Sequence, residues 1–340
     1  VREATEVADT GSARGRGGVE LGRHSSAPTP DGVTREATGL PPAGGLADHA
    51  AAGLADHAAA GLADHAAAGQ ADHVAAGHHR RAELLGDPSP LLTVRDVGKT
   101  FGGIQAVKDV TFAIERGESV GLVGPNGAGK TTLFNCICGQ LRPDTGSIEL
   151  DGIDLRGLPT YRRARMGIGR TYQRIEVFPD MTVREHLMVA ERSRRGDGRL
   201  WKDLLGRSGP RREEIAHVDE VLELVKLTAV ANTQVAALGL GMCRLVELAR
   251  ALMGEPRLLM ADEPSSGLDV YETKELAGVL RALQAERGMA VLLVEHDLGM
   301  VAEVVDRTVV MDLGQVIAQG TFDEVMADDE VRHAYLGVSA

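Results

Sequence analysis

Aromatic residues are scarce: one Trp, four Tyr and five Phe make up 3% of 340 residues. Any core must therefore be aliphatic, and a hydrophobic fraction of 43% is enough to build one. Cysteine is also rare. Cys136, Cys138 and Cys243 are too few for a disulfide framework, which points to a reducing compartment. No apolar run approaches the eighteen or so residues of a membrane span. The first residues lack the basic-then-apolar pattern of a secretory signal. Positive charge is in deficit too, with 37 Lys and Arg against 49 Asp and Glu and a net charge of −12. A general nucleic-acid binder needs a basic face to displace counterions, so no nucleic-acid partner is expected. The expectation is a soluble, cytoplasmic protein of about two domains.

The composition changes near residue 90. Residues 1–90 are rich in Gly, Ala, Ser and Pro, and GLADHAAA begins at Gly45, Gly53 and Gly61, with GQADHVAA following at Gly69. Large apolar residues occur about once per repeat, too few to offset the entropy of ordering. His49, His57, His65 and His73 each follow an aspartate, as metal ligands would. On a helix, however, positions eight apart are rotated by about 80° and separated by about 12 Å, too far to share an ion. The expectation is a disordered repeat tail over 1–90 and a folded domain over 91–340.

Within that domain, apolar runs at 91–94, 119–124, 256–262 and 290–295 read as buried strands. Helical periods fall at 130–138, 182–192, 213–227, 242–253 and 270–287. Thr182–Glu185 and Thr321–Glu324 are capping-box patterns that mark helix starts. Strands alternating with helices predict an α/β domain with a largely parallel sheet.

Gly124-Pro125-Asn126-Gly127-Ala128-Gly129-Lys130-Thr131 fits G-x-x-x-x-G-K-[ST], between an apolar strand and a helical segment that continues through Thr132. Glycines let backbone N–H groups turn inward around phosphate, and the helix N-terminus adds partial positive charge. Lys130 then reaches the β- and γ-phosphates of a nucleotide, and the Thr131 hydroxyl ligates Mg²⁺. Further on, Leu258-Leu259-Met260-Ala261-Asp262-Glu263-Pro264 ends a buried strand in two acids. Ligands bind at strand ends of open parallel sheets. Asp262 is placed to hold Mg²⁺ through its water shell, and Glu263 to polarise an attacking water.

The phosphate loop, Asp262-Glu263, Ser265-Ser266-Gly267-Leu268-Asp269 and Glu295-His296-Asp297 resemble, in order and spacing, the ATPase subunits of ABC transporters. The resemblance covers about 91–340. It implies a P-loop NTPase (RecA-like) core with an antiparallel β subdomain and an inserted helical subdomain at about 174–254, with ATP and Mg²⁺ as cofactors. Phe101 matches the aromatic that stacks on adenine, while residue type alone also allows a place in the core. Gln173 matches the glutamine that contacts Mg²⁺ and couples to the membrane subunit. Asp269 matches the aspartate that communicates across the nucleotide sandwich, and His296 the switch histidine near the γ-phosphate. Lys130, Gln173, Glu263 and His296 are the catalytic set so implied.

One motif departs from the pattern. Where the family has Leu-Ser-Gly-Gly-Gln, this chain has Leu238-Gly239-Leu240-Gly241-Met242. Gly239 replaces the serine and Met242 the glutamine, while Gly241 and a helix N-terminus keep backbone donors for phosphate. In this family the signature of one subunit completes the partner's ATP site. The expected partner is therefore a second, unlike ATP-binding subunit, alongside two transmembrane permease subunits and an extracytoplasmic solute-binding protein. The place is the cytoplasmic face of the membrane, as a peripheral subunit. RTYQRIEVFPDMTVREHLMVAE and AYLG look like an ATPase of branched-chain amino-acid importers; urea and amide importers and the homodimeric lipopolysaccharide-export ATPase share the pattern. The basic stretch 191–212 reads either as a solvated insertion or as a contact with anionic lipid.

Overall fold

The computed structural model describes residues 89–171, 178–195, 209 and 211–336. The repeat tail lies outside these residues apart from Ser89 and Pro90. So do Gln173 and most of the basic stretch.

Among the described residues, ten strands form two sheets. The first is antiparallel, in the order β2-β1-β4-β5, from β1 (Leu92–Phe101), β2 (Ile104–Ile114), β4 (Thr145–Leu150) and β5 (Ile153–Asp154). The second has the order β10-β9-β3-β8-β7-β6, from β3 (Ser119–Val123), β6 (Ile168–Arg170), β7 (Leu258–Asp262), β8 (Ala290–Val294), β9 (Arg307–Asp312) and β10 (Gln315–Gly320). Strands β9, β3, β8, β7 and β6 run parallel, and only β10 runs against its neighbour.

The three central strands are buried along their whole length. Side chains of β7 and β8 alternate between two cores, as the period of a strand requires, while Val123 of β3 joins a third, smaller one with Val301 and Val310. Leu258, Met260, Ala290, Leu292 and Val294 face the core shared with the antiparallel sheet and with Leu133, Phe134 and Ile137 of α1 (Lys130–Cys138). Leu259, Ala261, Val291 and Leu293 face the other side. There they meet α3 (Val183–Arg195), α4 (Arg212–Leu224), α5 (Leu240–Leu252) and α6 (Val270–Arg287). Helix α2 (Thr160–Arg165) precedes β6, and α7 (Leu298–Val304), α8 (Phe322–Ala327) and α9 (Asp329–Leu336) complete the chain.

Both capping boxes form. Glu185 N–H donates to Thr182 Oγ1 at 3.2 Å while Thr182 N–H donates to Glu185, and Thr321 and Glu324 repeat the exchange. The helix expected to run to 227 stops at Leu224, and Lys226 beyond it takes φ +62°. The helix expected from 242 starts at Leu240, so Gly239 becomes its N-cap and Gly241 lies in its first turn.

Candidate active site

Register brings the motifs to one edge. Leu122 pairs with Val294, and Val294 with Asp262, so β3, β8 and β7 end at the same level. The phosphate loop, the acidic pair and His296 follow these three ends, and β6 ends beside them at Arg170.

The loop 124–129 wraps onto backbone that only glycine admits. A Cβ at Gly124 (φ +145°) would sit 2.0 Å from Met311 O, and one at Gly129 (φ +98°) 2.3 Å from Ala106 O. Pro125 and Asn126 form the rim, Gly127 is exposed, and Ala128 is buried with its N–H on Pro125 O at 3.2 Å. Thr131 is exposed in the first turn of α1 and Thr132 half-buried behind it. Lys130 is buried and folds back over the loop, Nζ donating to Gly124 O at 2.6 Å and Pro125 O at 3.0 Å. Burial lowers the Lys130 pKa, against the pull of Glu263 and then Asp262. The lysine thus lies in the field of both acids.

Asp262 is 5% exposed at the end of β7, and burial raises its pKa. Opposing this, Arg170 Nη2 stands 3.7 Å from Asp262 Oδ2. The Arg170 guanidinium also lies over the Phe134 ring at 4.8 Å and donates to Asn135 Oδ1 at 3.1 Å, tying β6 to α1. Glu263 takes φ +47°, its N–H on Val294 O at 2.8 Å. Its Oε1 is 4.0 Å from His296 Nδ1. Phe101 is 46% exposed at the end of β1, with Lys99 Nζ 5.4 Å from its ring centre, so it is no core residue. Asp269 is the N-cap of α6, accepting from Glu272 N–H at 2.8 Å.

At the altered signature, Gly239 is exposed and Gly241 buried. The Gly241 N–H is already used within the chain, donating to Glu272 Oε1 at 3.2 Å. Arg244 of the same helix donates to Ser266 O at 3.2 Å, linking α5 to the turn after the acidic pair.

Two contributors were not legible as such. Arg170 opens the quoted RTYQRIEVFP segment, yet nothing in its spacing marks it as a partner of Asp262. Glu295 sits inside a quoted motif, yet the only hint of its setting is a charged residue ending an otherwise apolar run.

A parallel sheet with a glycine loop on its central strand and an acidic pair two strands away defines a P-loop nucleoside triphosphatase fold. The ABC transporter family matches residues 107–266, and the branched-chain amino acid ATP-binding cassette transporter family matches residues 315–340. The chain is 39% identical over 251 residues to the high-affinity branched-chain amino acid transport ATP-binding protein BraF of Pseudomonas aeruginosa, covering 73% of this chain and 98% of BraF. LivG of Escherichia coli is 40% identical with the same coverage. The lipopolysaccharide export system ATP-binding protein LptB of Haemophilus influenzae is 36% identical over 247 residues, 73% of this chain and 97% of LptB. Among solved structures, the ADP conformation of MJ1267, an ATP-binding cassette of an ABC transporter, aligns with a TM-score of 0.64 and 30% identity over 74% of this chain and all of that one. The chain belongs to the ATP-binding subunits of ABC transporters, ATPases that power transport.

Proposed function

We propose that this chain drives an importer for branched-chain amino acids or related small polar solutes by hydrolysing ATP at the cytoplasmic face of the membrane. The observation that carries the reading is the shared edge of β3, β8 and β7, where Lys130, Asp262, Glu263 and His296 stand together. The solute class rests on BraF and LivG.

Lys130 and the backbone N–H groups of Gly127, Gly129 and the first turn of α1 hold the phosphates. Phe101 offers an exposed ring face to adenine. Glu263 takes the proton of the attacking water, and His296 orients the terminal phosphate from the next strand. Among the described residues no three His, Cys, Asp or Glu gather into a cation cage. A divalent ion here would therefore need phosphate oxygens as ligands, and the exposed Thr131 hydroxyl and buried Asp262 suit that arrangement. Thr131, Asp262 and Gln173 would hold Mg²⁺, which supplies neutralisation of phosphate charge.

No helix among the described residues is long and apolar enough to cross a membrane. The membrane path is assigned to two permease subunits, and solute capture to an extracytoplasmic binding protein. A groove of about 860 Å³, with Thr171 and the exposed Tyr161, Phe178 and Val189 on its walls, supports docking of a permease. With Gly239 in place of serine, the preferred second ATPase is an unlike subunit with an intact signature. The second reading is a homodimeric ATPase of a lipopolysaccharide-type exporter, in keeping with the 36% identity to LptB.

Glu263→Gln tests the assignment. ATP turnover should fall about 10²–10⁴-fold with nucleotide binding retained; unchanged turnover refutes it. Size-exclusion chromatography of that variant with ATP and Mg²⁺ separates the two assemblies. An ATP-dependent homodimer favours the second reading, and a monomer that binds ATP the first.

A further inference from the structure

Glu295 is fully buried, yet no Arg or Lys pairs with it among the described residues' ion pairs. Its charge is met by backbone donors drawn from two loops. Oε1 accepts from Ser265 N–H at 2.8 Å, in the turn that follows Glu263. Oε2 accepts from His296 N–H at 3.1 Å and from Asp297 N–H at 3.4 Å, in the turn that follows β8. Asp297 in turn caps α7, its Oδ1 accepting from Gly299 and Met300. The imidazole of His296 lies between two carboxylates, Nδ1 being 3.9 Å from Glu295 Oε2 and 4.0 Å from Glu263 Oε1.

One carboxylate thus spans the ends of β7 and β8. Burying an anion is costly, and an apolar residue would fill the volume without that cost. What an apolar residue cannot do is accept hydrogen bonds from both loops at once. Two oxygens on one planar group fix the turn carrying Glu263 relative to the turn carrying His296.

We propose that Glu295 is a positioning residue for ATP hydrolysis, holding Glu263 and His296 at their working separation without touching the nucleotide. The proposal rests on the reading of Glu263 and His296 given above. The phosphate loop lies on β3, and Glu295 makes no hydrogen bond to it. Losing the clamp therefore impairs the chemical step and spares nucleotide binding. Glutamine keeps the shape but has one accepting oxygen and one donating NH₂. Glu295→Gln leaves either Ser265 N–H or the His296 and Asp297 N–H groups facing a donor. Asp keeps both oxygens but is one methylene too short to reach both loops.

The test measures steady-state ATP hydrolysis of the full chain with Mg²⁺, for wild type, Glu295→Gln, Glu295→Asp and Glu263→Gln. Binding of a fluorescent ATP analogue and thermal unfolding are followed in parallel. A displacement of catalytic groups by about 1 Å costs roughly 10²-fold. The expected result is a fall in kcat of about 10–100-fold for Glu295→Gln, with KM and analogue affinity within about twofold of wild type. Glu295→Asp falls in the same direction and provides the reading if the Gln variant does not fold. Unchanged kcat in a folded Glu295 variant, while Glu263→Gln abolishes turnover, overturns the proposal and leaves the assignment of Glu263 standing. A parallel loss of analogue binding also overturns it, since the role is then general to the fold. Unchanged turnover in Glu263→Gln removes the underlying reading instead.

Discussion

Arg163 is a strong single determinant of how α1 is held. It is 4% exposed and spends its guanidinium on backbone carbonyls. Nη1 donates to Cys136 O at 2.8 Å and Ile137 O at 2.7 Å at the end of α1, while Nε and Nη2 donate to Leu158 O at 3.0 Å and Leu155 O at 2.9 Å. Replacing it with Met keeps much of the volume and removes four bonds. Cys136 O retains Gly139 N–H and Leu155 O retains Leu158 N–H. Ile137 O and Leu158 O lose the donor that Arg163 supplies. The buried Ile137 carbonyl and the part-buried Leu158 carbonyl, left without that donor, together cost about 2–4 kcal/mol. Against that, burial lowers the Arg163 pKa, so the native state is relieved of a desolvated cation. The net expectation is a loss of about 3 kcal/mol. For a domain of this size that is a fall in Tm of roughly 6–12 °C. Urea and thermal unfolding of Arg163→Met measure it directly. Arg163→Lys should lose nearly as much, because one ammonium cannot reach carbonyls on both sides of the fork. A loss below about 1 kcal/mol in the Met variant refutes the reasoning, as would full rescue by Lys.

Glu191 on α3 is fully buried, and burial alone would raise its pKa; hydrogen bonds from Arg194, Arg195 and His217 outweigh this and hold it at about 2. Because the folded value lies below the usual 4.5, the group adds stability above about pH 4.5 and loses it as pH falls toward 2, about 3 kcal/mol in all. Urea unfolding should therefore show a gap of that order between wild type and Glu191→Gln at pH 6 that narrows to about 1 kcal/mol near pH 2.5 and closes below pH 2, and a pH-independent gap is the contrary outcome. Gly129→Ala forces a Cβ to 2.3 Å from Ala106 O at φ +98° and should cost about 2–4 kcal/mol with loss of nucleotide binding, read by thermal melts and a fluorescent ATP analogue; native-like affinity would contradict the cradle described for the loop.

Three of the five parallel strands, β3, β7 and β8, were readable because each is a short aliphatic run buried along its length, with the phosphate loop or the acidic pair at the ends of β3 and β7; β6, only Ile168-Gly169-Arg170, and β9 were not legible in this way. The antiparallel sheet was less legible strand by strand. Along β1 the pairing shifts between Val94 and Val97 and again near Lys99, which breaks the period-two pattern that would have marked it. Phe101 shows the limit of residue type, since only its exposed place at the end of β1 removes it from the core. Arg163, Arg170 and Glu295 escaped for one reason. Each acts through backbone or charge brought near by folding, Glu295 reaching Ser265 thirty residues away in sequence, and no local spacing encodes such a meeting. The signature segment was read as altered, but that Gly241 already donates to Glu272 depends on how α6 lies against α5.

The helix that begins at Lys130 ends in two buried thiols. Burial pushes Cys136 up to about 11 and Cys138 up to about 12, and Cys138 Sγ rests 3.5 Å from Met260 Sδ. Both are protonated and sealed in the native chain, whereas Cys243 is half-buried. An alkylating reagent therefore meets the half-buried Cys243 first, although burial and Glu247 raise that thiol's pKa as well, and the other two only when α1 lifts from the sheet. Mass spectrometry of the second and third adducts becomes a clock for that lifting. Phosphate gripped at the front of the helix should slow it, so ATP occupancy is recorded as a modification rate without a radiolabel, a partner subunit or a membrane.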